Sequence, residues 1–314
     1  MERQKPTTPN RTEKLPGIEA ITMQALLLRT LSSENGPVSH FTSPDFNILG
    51  QFGLNWQETL LAWRDSAEDS DNMTQLYTAN LSSLYSLEKK RPGAARILQD
   101  RFKLRSLGKY PMELLIRQYD ERDDPSKPYG IVIWSTFDSG GDGYQDIDTF
   151  QGLFKQVDRL GYSLRIYECD TRQDVVKALK TTKQKYGKAE FGIVNSHGGP
   201  DTMVELSGRN IKADDLRRKS ALIARDAFVE KPTFILYGCE TGFSKGPADE
   251  LSAITEGTVI APCKQTALNK IEARIDPNNK SRLDFRVSYS EPDCLMIYRN
   301  GWVFSWSGWS SGQI

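Results

Sequence analysis

The chain holds 314 residues, with 41 basic and 41 acidic side chains, four cysteines and two histidines. At roughly 100 to 200 residues per domain this is one large domain or two modest ones, and a formal charge of zero leaves no global basic field to draw nucleic acid. No apolar run approaches the ~20 residues of a membrane span, the opening Met1-Glu2-Arg3-Gln4-Lys5 has no apolar signal core behind it, and the cysteines form no Cys-x-x-Cys, so a cytoplasmic protein without membrane contact, metal or disulfide framework is expected.

Residues 1–16 are polar and rich in Pro, Thr and Lys, a composition expected of a flexible tail. From 17 to 122 the apolar spacing is helical: Ile18, Ile21, Ala25 and Leu28 share one face, and Met73, Leu76, Tyr77, Leu81, Leu84 and Tyr85 recur three and four apart. Tyr110–Tyr119 continues this, with Pro111 where a first helical turn tolerates it. This N-terminal third reads as a helical subdomain. Asp120–Pro128, charged, with two prolines and no apolar residue, marks a boundary.

After the boundary the pattern changes. Tyr129–Phe137 is a nearly continuous apolar run suited to a strand buried on both faces, ending in the loop Asp138-Ser-Gly-Gly-Asp-Gly143. Phe150, Leu153, Phe154, Val157 and Leu160 predict a helix stopped by Gly161. Tyr162–Tyr167 alternates as a strand, and Thr171 with Asp174 gives a capping-box start for the next helix. Phe191–Asn195 and Thr233–Tyr237 are further strands, and Asn300-Gly301 is a hairpin signal. Strands alternating with helices predict an α/β fold with a mainly parallel sheet and helices on both faces, spanning 129–314.

In such sheets chemistry gathers at the carboxyl ends of the strands. His197 follows one apolar strand and Cys239 another, 42 residues later. A cysteine ending a buried strand serves packing more often than catalysis. What sets these two apart is their coincidence at equivalent strand ends, with glycines beside both and only His40 as a second imidazole. A thiol with an imidazole in reach is a minimal nucleophile–base pair. Gly198 lets the amide after the histidine approach a substrate carbonyl, and Gly238 and Gly242 permit a tight turn presenting Cys239 and its N–H, donors suited to an oxyanion. The histidine precedes the cysteine, opposite to papain-like enzymes, and Tyr237 and Thr241 stand where a nucleophile elbow needs glycine.

Strand then Ser196-His197-Gly198-Gly199-Pro200, the short strand Met203–Leu206, the turn Ser207–Asn210, a helix near Ala213, then Leu236-Tyr-Gly-Cys-Glu-Thr-Gly242, a helix over Ala248–Ile254 and the strand Thr258–Pro262 resemble the caspase-like cysteine peptidases, nearest to the bacterial CHAT-type domains. The resemblance covers residues 129 to 310. It implies His197 as general base and acid, Cys239 as nucleophile, the amides of Gly198 and Cys239 as the oxyanion site, no cofactor, and a protein or peptide substrate. It further implies a pocket for the residue before the scissile bond lined by Asp138, with Asp142 nearby, and by Tyr237. An acidic lining favours Arg or Lys there, although Tyr237 departs from the acidic or amide residue many members place at that position, and Asp beside glycines is also ordinary turn chemistry.

The helical subdomain is expected to restrain the peptidase or to dock an activating protein partner, and the charged joint to offer a cleavage site. Two alternatives stay open: a caspase-like scaffold without turnover that works through protein contacts, and a flavodoxin-like small-ligand domain using the Gly140–Gly143 loop, which lacks the Lys of a phosphate loop. Cys169, Cys263 and Cys294 are expected to be core or edge fillers, and Trp302, Trp306 and Trp309 to pack over the sheet or line a groove.

Overall fold

A computed structural model describes residues 83–84, 86–102, 110–137, 147–218, 222–291 and 293–306. The tail, most of the helical subdomain, His40, Asp138, Asp142 and the Gly140–Gly143 loop therefore lie outside the described residues.

Strand β1 (Tyr129–Ser135) is buried at every position, as a strand covered on both faces must be. Its side chains alternate between two cores: Val132 and Trp134 enter one, Ile131 and Ile133 the other. Strand β2 (Ser163–Cys169) and β3 (Ala189–Asn195) flank it in parallel. Strand β6 (Phe228–Leu236) pairs parallel with β3, and β7 (Thr258–Pro262) parallel with β6. The antiparallel hairpin of β10 (Leu295–Arg299) and β11 (Trp302–Trp306) completes a seven-stranded sheet of order β11-β10-β7-β6-β3-β1-β2. The expected α/β architecture with a mainly parallel sheet is the one observed.

One face carries α1 (Ala94–Leu98), α2 (Met112–Asp120), α3 (Ile147–Arg159) and the hairpin of β8 (Leu268–Ile275) and β9 (Leu283–Tyr289), through Leu98, Leu115, Phe150, Leu153, Ile271 and Phe285. The other carries α4 (Arg172–Tyr186), α5 (Ala213–Leu216), α6 (Leu222–Ala227), α7 (Pro247–Thr255) and the small ribbon β4 (Thr202–Val204) and β5 (Ile211–Lys212), through Val175, Leu179, Leu216, Ala227 and Leu251. Thr171 caps α4 as expected: its hydroxyl accepts from the Asp174 amide at 3.3 Å, and the Asp174 carboxylate accepts from the Thr171 amide at 3.1 Å. Asn300 and Gly301, both at positive φ (51° and 76°), make the two-residue turn between β10 and β11.

The described part of the N-terminal third is helical over 86–90, α1 and α2, and its apolar residues share one core with Val132 and Trp134. It also closes the outer edge of β2. Gln118, 1 % exposed, donates its side-chain amide to the Leu164 carbonyl and accepts from the Ile166 amide at 3.2 Å. The Arg101 carbonyl accepts from the Glu168 amide at 2.8 Å. Three backbone groups of the edge strand are thereby satisfied without another strand, which removes a template for edge-to-edge pairing. The joint is tied down as well. Fully buried Arg165 of β2 donates to the carbonyls of Glu121 (3.0 Å) and Asp124 (2.7 Å) and lies 3.5 Å over the Tyr186 ring.

Strand β6 begins at Phe228, five residues before the expected Thr233, because the pairing resumes around an irregularity near Ala189 and Phe191. Strand β8 was not expected, since its exposed residues Asn269, Lys270 and Arg274 interrupt any apolar alternation. Cys294 sits one residue before β10 and is fully buried, as expected of a core filler.

Candidate active site

The register of β3 against β6 decides what meets at their carboxyl ends. Val194 pairs with Leu236, a separation of 42 residues, and the Tyr237 amide extends the ladder to the Val194 carbonyl at 2.9 Å. His197 and Cys239 are also 42 apart, so they leave adjacent parallel strands at equivalent positions.

Beyond the ladder the two loops press together. A Cβ on Gly198 would lie 2.8 Å from the Gly238 Cα and 2.6 Å from Thr241 Cγ2, and a Cβ on Gly238 would lie 2.8 Å from the Gly198 Cα. Real Cβ atoms do not come this close to backbone, so this approach requires glycine on both sides. His197 and Cys239 are the chain neighbours of those glycines.

Each loop is anchored. On the histidine side, Ser196 Oγ donates to the His197 carbonyl (2.8 Å) and accepts from the Glu205 amide (2.8 Å), and Gly199 and Thr202 exchange backbone bonds of 3.0 and 3.2 Å. On the cysteine side, Glu240 takes a left-handed φ of 59°, and the Thr241 hydroxyl donates to the Gly238 carbonyl at 2.7 Å. The Glu240 amide donates to Lys264 O (3.2 Å) and the Gly242 amide to Pro262 O (2.7 Å). From the core, the Tyr289 hydroxyl donates to Leu236 O (2.9 Å) and the Tyr298 hydroxyl to Gly242 O (2.8 Å). Burial pushes both phenols up, Tyr298 to about 12 and Tyr289 well above the ordinary value, so both remain donors at neutral pH.

Cys239 is a partly exposed free thiol, and its Sγ lies 3.6 Å from Thr266 O. Among the described residues, neither the Cys239 amide nor the Gly198 amide donates to another backbone carbonyl. Tyr237 is placed otherwise than a pocket wall requires: its ring is 6 % exposed, stacked on Phe150 with centroids 5.0 Å apart, inside the core. A side chain one residue past β6 keeps the strand's alternation, which turns position 237 to the same face as Ile235 and into that core. Thr266 and Lys264, which hold the Cys239 turn, were not picked out from the sequence; their only signal was a position just past the end of β7.

Among the described residues no group of three or more His, Cys, Asp or Glu is placed to hold a metal ion, and no helix is long and apolar enough to cross a membrane. Comparison of the chain with family models, with curated proteins and with solved structures gives no match in any of the three.

Proposed function

We propose that the protein is a caspase-like cysteine endopeptidase with Cys239 as nucleophile and His197 as base. The observation that carries this is the equivalent placement of His197 and Cys239 at the ends of adjacent parallel strands, with Gly198 and Gly238 in backbone contact between them. His197 takes the Cys239 proton as the thiolate attacks the peptide carbonyl; the oxyanion forms against the amides of Gly198 and Cys239. Collapse expels the amine, which takes the proton from His197, and leaves a thioester. Water, deprotonated by His197, then releases the acid and restores the thiol.

The site needs no organic cofactor or metal for these steps. In this proposal Asp138 and Asp142 select a basic residue before the scissile bond, and the N-terminal helices mediate control by a protein partner. The joint at 121–124, held by Arg165, stays closed to proteases until that region is displaced.

The test is incubation of the full chain with a positional peptide library, with and without calcium or candidate activators. Cleavage after Arg or Lys that Cys239→Ala and His197→Ala each abolish is the expected result. Absence of any Cys239-dependent cleavage, with the fold intact, would favour the scaffold that works through protein contacts.

A further inference from the structure

Three of the four cysteines gather around one loop. Strands β7 and β10 run antiparallel with Pro262 opposite Leu295, and the ladder continues one step further: the Cys263 amide donates to the Cys294 carbonyl at 2.8 Å. Cys263 and Cys294 are therefore directly opposed on neighbouring strand ends. Opposed residues of an antiparallel pair project to the same face, and both cysteines pack in the same core, Cys294 fully buried and Cys263 at its partly exposed margin. A hydrogen-bonded antiparallel pair has Cα atoms about 5.5 Å apart, inside the span of about 4.4 to 6.8 Å that a disulfide bridges.

We propose that Cys263 and Cys294 form a peroxide-oxidisable dithiol whose disulfide clamps the strand ends beneath the Cys239 turn. The two sulfurs differ in role. Cys263 is the one solvent reaches, so its thiolate attacks hydrogen peroxide, forming a sulfenic acid and releasing hydroxide. Burial pushes the Cys294 thiol up, against a hydrogen bond from Thr266, which leaves the first attack to Cys263. The Cys294 sulfur displaces water from the sulfenic acid: the S–S bond forms, the S–O bond breaks, and peroxide has been reduced to two waters at the expense of two thiols.

The loop leaving Cys263 carries two acceptors of the Cys239 turn, Lys264 O for the Glu240 amide and Thr266 O for the Cys239 thiol, so the clamp acts on the floor of that turn. Formation of the bond does not depend on any peptidase activity.

The experiment treats the reduced full chain with hydrogen peroxide, blocks remaining thiols with iodoacetamide, and maps peptides by mass spectrometry without reduction. The expected product is a Cys263–Cys294 linked peptide lacking two hydrogens, reversed by dithiothreitol, and equally abundant in Cys239→Ala and Cys169→Ser. In Cys294→Ser the link vanishes and dimedone labelling of Cys263 rises at least about tenfold, the sulfenic acid having lost its partner. Should that buried substitution prevent folding, Cys263→Ser at the margin must abolish the link in a folded protein. Recovery of Cys263 and Cys294 both as alkylated thiols, or a link running from either to Cys239, would overturn the proposal.

Discussion

Adding one methyl group at Gly198 probes the site without removing a reactive group. A Cβ there would stand 2.8 Å from the Gly238 Cα, 3.0 Å from its carbonyl carbon and 2.6 Å from Thr241 Cγ2. The threonine methyl cannot turn away without breaking its hydroxyl's bond to the Gly238 carbonyl, and the ladder to Val194 holds the strand end just before that glycine. Ordinary contact needs about 3.6 Å, so the two loops must part by close to 1 Å. Gly198 has no left-handed φ, and the whole effect is therefore steric. Overpacking of this kind costs about 1–3 kcal/mol of stability. A shift of about 1 Å between reacting groups costs on the order of 100-fold in rate.

Gly199→Ala is the internal control, because a Cβ there meets nothing within 4 Å. The assays are thermal unfolding and the rate of Cys239 alkylation or peptide cleavage. Gly198→Ala is expected to lose activity by about two orders of magnitude while Gly199→Ala retains it. Equal activity in Gly198→Ala and wild type, or equal loss in both variants, would refute the close approach as the organising feature.

Gln118→Leu keeps the volume but leaves the Leu164 carbonyl and Ile166 amide of the β2 edge without their partner. Destabilisation of about 2–4 kcal/mol in urea unfolding, with more aggregation at raised concentration, is expected. Arg165→Met removes the cation that holds Glu121 O and Asp124 O, and limited proteolysis should then cut near residues 121–128 where the wild type resists. Burial pushes the Asp215 carboxyl up, but the Arg172 hydrogen bond, the Lys212 amide and the Arg172 and Arg209 charges outweigh it and hold it below the usual carboxylate value. A depressed carboxyl stabilises the fold above its unfolded pKa of about 4, and that contribution is lost as pH falls through the folded value. Asp215→Asn should flatten this acid limb by about 1 kcal/mol at most, given the solvent around the pair; an unchanged limb would contradict the pairing.

Much of this was legible because it is local or periodic. The unbroken apolar run of β1, the Thr171 to Asp174 box and Asn300-Gly301 each state their structure within a few residues, and all three are found intact. The His197 and Cys239 ends were legible for the same reason, each following an apolar strand. What the sequence hid is non-local. Gln118 reads as one more polar helix residue, and only the fold brings it against β2. The long β6 is masked by Lys231 and Pro232, which lie where its register against β3 shifts and which break its pattern. Cys263 and Cys294 lie 31 residues apart and meet through the register of β7 and β10. Tyr237 belonged to the expected pocket by its proximity to Cys239, whereas strand alternation turns its ring into the core.

The central claim, that His197 serves Cys239, is tested most directly by the second-order rate of Cys239 alkylation by iodoacetamide near neutral pH, in wild type and in His197→Ala. An imidazole within reach raises the reactive thiolate fraction. The account predicts a rate at least about tenfold lower in His197→Ala, with the two proteins unfolding alike; equal rates would contradict it.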